Sequence, residues 1–127
     1  MSGRWMNMRA SWNELPTTAQ IEGYEARSTE CAEMIMSFER VPAGLDTTPY
    51  LKGLPNNRCQ TRHWGYLTKG KILVHYSDHD EVIEAGQAYY LPPDHRVEFL
   101  EDCEGVEFSL KEEVEKQQAI IGGAGSP

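Results

Sequence analysis

Between residues 63 and 110 the apolar positions come in short runs, HWGYLT, KILVHY, EVIEA, AYYLP, RVEFL and GVEFSL, each bounded by Gly, Pro or Asp-rich breaks. Short runs with period-two alternation predict β-strands, and strands at this spacing in so short a stretch predict an antiparallel sandwich or barrel whose closure hides strand edges. Upstream, IEGYEARSTECAEMIMSF (residues 21–38) ends in CAEMIMSFE, which alternates in and out. It reads as strands, although EARSTECAEM has the local propensity for a helix. VPAGLDTTPYLKGLPNN then breaks any regular element with three prolines and two glycines, so a long connection is expected. The segment KEEVEKQQAIIGGAGSP opens with charged helix formers and closes on Gly and Pro, which predicts a short exposed helix and a tail. The first residues, MSGRWMNMRASWNEL, show no period. They read as an arm whose Trp5 and Trp12 pack on a partner surface. The expected division is an N-terminal arm over 1–20, a β-barrel over 21–112, and a C-terminal helix and tail over 113–127.

Composition narrows what such a domain does. The chain of 127 residues fits one core, and its formal charge of −8 has the wrong sign for following a phosphate backbone or an anionic membrane surface. Neither nucleic acid nor membrane is an expected partner. Cys31, Cys59 and Cys103 are odd in number and widely spaced, and the start of the chain lacks the apolar run of a secretory signal, so reduced thiols in a cytoplasm are expected. No stretch approaches the ~20 apolar residues that cross a bilayer as a helix.

The candidate chemistry lies around NNRCQTRHWGYLTKGK (residues 56–71) and GQAYYLPPDH (residues 86–95). The spacing from Gly86 to Pro92, followed by Pro93, Asp94 and His95, is similar to the second motif of the small single-domain cupins, with Asp94 at the usual glycine. Counting back from Gly70, His63 falls where the first cupin motif has its acid. Cys59 falls at the second histidine and Asn57 at the first. The resemblance covers about half the chain. It implies an all-β, jelly-roll-like cupin barrel and a metal site at the barrel mouth, and the degraded first motif still offers Cys and His, both good ligands for zinc, iron or nickel. The family includes isomerases, dioxygenases, decarboxylases, lyases, sensors and storage proteins, so the resemblance selects no reaction.

The expected metal ligands are therefore Cys59, His63 and His95, three donors that leave a position open for substrate or water, with Zn or Fe favoured by the mixed thiolate and imidazole set. Residues four apart on a continuous strand lie ~13 Å from each other, so something must bend the chain between Cys59 and His63. Tyr89, Leu67 and Leu91 are expected to line the pocket. Glu98 is the reserve ligand or general base, although alternation from His95 turns it to the opposite face. No catalytic residue is assigned. A metal-dependent enzyme acting on a small organic molecule stands beside a non-catalytic, metal-free binding or sensing module and a purely structural protein. A further alternative makes Cys59 a nucleophile with His63 as its base. A homodimer is expected by analogy with the family, with the arm covering the partner's edge strand.

Overall fold

A computed structural model describes residues 8–122. In chain order its strands are β1 (Thr17–Ile21), β2 (Tyr24–Cys31), β3 (Met34–Val41), β4 (His63–Lys69), β5 (Lys71–His75), β6 (Asp80–Glu84), β7 (Ala88–Leu91), β8 (Arg96–Phe99) and β9 (Cys103–Leu110), followed by the helix α1 (Lys111–Ile121). The apolar runs of the sequence each become one of the strands β4 to β9. The Ile21–Phe38 stretch forms β-structure rather than a helix because its alternation lets β2 and β3 pair in continuous antiparallel register from Glu25↔Arg40 to Cys31↔Met34.

The strands divide between two sheets, one of six in the order β1-β2-β3-β9-β4-β7 and one of three in the order β6-β5-β8. The all-β, jelly-roll-like fold expected from the sequence is present, built as two facing sheets rather than as one closed hydrogen-bonded barrel. Between them lie Val74, Ile72, Val97, Ile83, Leu67, Leu91, Val41 and Ala26, and each fully buried aliphatic side chain contributes roughly 1.5–3 kcal/mol. The chain crosses from one sheet to the other at Gly70, where φ is +95° and an added Cβ would meet Asp102 O and Cys103 Sγ, each at 2.5 Å. Only glycine fits that corner.

Two segments behave differently from expectation. Residues 17–20, assigned to the arm, belong with Ile21 to an integral strand, because Ala19 is buried and the segment pairs with β2. Trp12 packs on its own chain instead of waiting for a partner, its ring lying 4.3 Å from the Arg27 guanidinium and 4.0 Å from that of Arg40. Trp5 and the final tail lie outside the described residues. The helix is also less exposed than its charge suggests: Gln117 is buried and Ile121 packs on the cluster of Leu51, Leu54 and Cys59.

Candidate metal centre

The local sequence places Cys59 opposite His95. Pro55–Asn57 forms a 3-10 turn, with Asn56 and Asn57 both at positive φ, a conformation that Asn tolerates better than most residues. The chain leaves this turn extended through Arg58, and Cys59 then forms an isolated antiparallel bridge with His95. Cys59 N donates to His95 O at 2.7 Å, and Asp94 N donates to Cys59 O at 2.8 Å. Asp94 stands at φ +76°, so the residue at the motif's usual glycine adopts the left-handed turn that a glycine would.

The bend between Cys59 and His63 is held by α1. Gln60 N donates to Gln117 Oε1 at 2.8 Å, and Thr61 Oγ1 to Glu113 O at 3.5 Å. Arg62 N donates to Glu113 Oε1 at 3.0 Å, while its guanidinium meets Glu113 Oε2 through Nε at 3.0 Å and Nη2 at 2.6 Å. Glu113 and Gln117 are four apart, so one face of the helix grips three consecutive residues. Cys59 Sγ thereby comes within 3.6 Å of His63 Nε2.

Cys59, His63 and His95 are brought together with one donor atom from each, all within 4.8 Å of one another. They are 1%, 5% and 1% exposed. His95 Nδ1 donates to Pro92 O at 2.6 Å, which leaves Nε2 as the ring nitrogen available to a shared ligand. His63 Nδ1 meets Ser109 Oγ at 2.7 Å and Glu107 Oε1 at 3.5 Å, which turns its Nε2 toward the sulfur. A ring nitrogen tied to a carbonyl, hydroxyl or carboxylate while the other faces a shared point is the arrangement by which proteins present imidazole to a metal. The donor set fits a divalent transition ion.

The charges of these groups alone describe a buried thiolate–imidazolium pair. Burial works to raise the Cys59 thiol, but hydrogen bonding and charge from His63 and His95 outweigh it and bring the pKa to about 5. For His63, burial works to lower the value, and the Glu107 charge, then Cys59 and Glu39, bring it up to about 9. At neutral pH the sulfur is a thiolate, the form that ligates metal, while His63 carries a proton that an ion would displace from Nε2. Burial and the Glu107 charge push Glu39 up to about 8.

Tyr89, Leu67 and Leu91 line the space between the sheets beside His63 and His95, together with Glu39 and Glu107. The enclosed volume is about 30 Å³. Tyr89 donates to Glu107 Oε2 at 2.6 Å, lying over Gly65, where any Cβ would collide with its ring. Glu98 is not part of this site. Strand alternation turns it outward, where it bonds His75 Nε2 and lies 3.8 Å from Arg96. The acids that do face the site are Glu39 and Glu107, which, like Ser109 and Gln117, sequence reasoning missed. In SFER and GVEFSL alternation alone does not tell which face is inward. Here the polar positions Ser37, Glu107 and Gly65 run in register across the concave face of the six-stranded sheet to Tyr89. A groove of about 490 Å³ opens along that face and shares His63, Glu39 and Glu107 with the interior.

No protein-family model matches the chain, and no curated protein does. Solved structures do. An oxalate decarboxylase variant from B. subtilis aligns with 82% of this chain at TM-score 0.62 and 16% identity, through 29% of its own length. An RmlC-like cupin from Shewanella frigidimarina aligns with 83% of this chain and 91% of its own, at TM-score 0.63 and 12% identity. KdgF from a Halomonas species aligns with 79% of this chain and 91% of its own, at TM-score 0.58 and 14% identity. The chain has the cupin fold. It spans less than a third of the oxalate decarboxylase.

Proposed function

We propose that this cupin-fold chain holds a divalent transition metal, zinc or iron, through Cys59 Sγ, His63 Nε2 and His95 Nε2, and acts as a metal-dependent enzyme on a small organic molecule. The observation that carries this reading is the convergence of three buried donors, two of them imidazoles oriented through their far nitrogens. Such an ion supplies a Lewis acid that polarises a carbonyl or activates water or dioxygen. The chain's own groups do the rest. Ser109 and Glu107 hold His63 by Nδ1, and the Pro92 carbonyl holds His95. Leu67, Leu91 and Tyr89 close the interior to bulk water. Glu39 stands beside the donors as a proton-holding group facing the Glu107 carboxylate, in the place the sequence had suggested for Glu98 as general base. The enclosed 30 Å³ admits about one or two waters or a diatomic molecule. A larger substrate belongs in the 490 Å³ groove that reaches His63, within the size range of small-molecule sites. The test is metal content after purification without added metal, in the parent chain and in Cys59→Ser and His63→Ala variants.

The second reading, a metal-free binding or sensing module, is favoured by the same closed interior, since Tyr89 and the leucines leave so little room beside the histidines. It differs by one outcome: ligand binding unaffected by loss of Cys59 and His63.

A homodimer forms part of the proposal, through a surface other than the arm. On the convex face of the six-stranded sheet, Met36, Phe108, Trp64 and Tyr90 lie in one register row and Phe38, Val106, Tyr66 and Ala88 in the next. Trp64, Tyr66 and Tyr90 are 37%, 44% and 45% exposed. The second row continues to Arg27 on β2, and the Arg62 guanidinium lies 5.4 Å from the Trp64 ring, so cations border the aromatic patch. A two-fold contact would set that patch on its counterpart in a second copy.

A further inference from the structure

We infer that α1 is part of the metal centre, with Gln117 a positioning residue that hydrogen-bonds the Cys59 sulfur and keeps it where His63 and His95 converge. This rests on the metal reading above.

Gln117 uses both ends of its amide. Gln60 N–H can meet only the oxygen end, and Gln117 Oε1 accepts it at 2.8 Å. The NH2 end is therefore the one that faces Cys59 Sγ, at 3.3 Å. A donor aimed at a thiolate spreads part of its charge without taking the lone pair that a metal needs, and hydrogen bonds to charged groups are about twice as strong as neutral ones. The same side chain fixes the direction of the bend through Gln60, so one residue sets both where the sulfur sits and how much charge it carries. One helical turn earlier, Glu113 secures Thr61 and Arg62. Lys111 ties the start of α1 to Glu30 and Glu33 and Ile121 packs on Leu51, Leu54 and Cys59 at its end, while Glu113 and Gln117 hold its middle to the bend. Docking of this helix face and presentation of the thiolate are therefore coupled. By linkage, whatever occupies the donors also holds the helix down.

The experiment compares the full chain with Gln117→Met and Gln117→Glu after loading with Co(II). Gln117→Met keeps the packing and removes both hydrogen bonds. Gln117→Glu keeps the acceptor for Gln60, removes the donor to sulfur and sets a negative charge beside it. Affinity is read by competition with a chelator, the sulfur-to-cobalt charge-transfer band reports the thiolate directly, and circular dichroism of the metal-free proteins confirms folding. Gln117→Met is expected to bind Co(II) about 10–100-fold more weakly, and the band is expected to be displaced in both variants. Parent-like affinity and an unmoved band in both would overturn this inference alone. A parent chain that takes up no cobalt would overturn the metal reading itself.

Discussion

Cys59 Sγ and His63 Nε2 lie 3.6 Å apart, although an extended chain would hold residues at that spacing ~13 Å from each other. The difference is made by a helix far away in sequence, whose Glu113 and Gln117 tie down every residue of the intervening bend. The candidate centre thus depends on the C-terminal helix as much as on the strands that carry its histidines.

Glu113→Gln weakens the grip on Arg62. The pair is partly exposed, with side chains 37% and 26% accessible, so solvent screening keeps its contribution small. A small fall in the urea midpoint is expected, together with weaker metal uptake, because the bend is released. Equilibrium unfolding and metal competition check the two effects separately.

Glu39 faces Glu107 from β9, His63 from β4 and Tyr24 from β2. Its folded-state pKa of about 8 stands above the ordinary 4.5, so the native state holds the proton more tightly than the unfolded chain. The stability this gives is full below about pH 4.5 and is lost as pH rises through about 8. Glu39→Gln removes that loss. Urea midpoints at pH 5 and pH 9 should show the variant gaining on the parent by roughly 1–3 kcal/mol at the higher pH. A constant difference across this range would refute the raised carboxyl.

Glu98→Gln separates the site in the structure from the one expected from sequence. Because Glu98 bonds His75 on the outer side of β8, its loss should leave metal stoichiometry unchanged.

Trp64→Glu combined with Tyr66→Glu places two charges in the apolar rows of the convex face. Light scattering should report a dimer for the parent and a monomer for the double variant; a parent that stays monomeric at high concentration would remove the dimer.

Much of this was legible in the sequence. Period-two runs marked β4 to β9, and the spacing from Gly86 to Pro92 pointed to the cupin fold. Cys59, His63 and His95 were named because Cys and His stood at motif positions. What could not be read was which acids face the donors. Strand alternation sorts a run into two faces without saying which is inward, and in β9 the apolar Val106 and Phe108 point to the convex face while Glu107 and Ser109 point to the site. Gln117 was hidden for another reason. It sits 58 residues from Cys59, and nothing local in KEEVEKQQAII distinguishes a gripping residue from a solvated one.

The most direct test is elemental analysis of the chain purified without added metal, beside Cys59→Ser and His63→Ala. The expected result is about one zinc or iron per chain in the parent and a loss of most of it in each variant, since three-donor sites lose affinity steeply when one ligand is removed. Equal metal content in all three proteins would contradict the proposed centre.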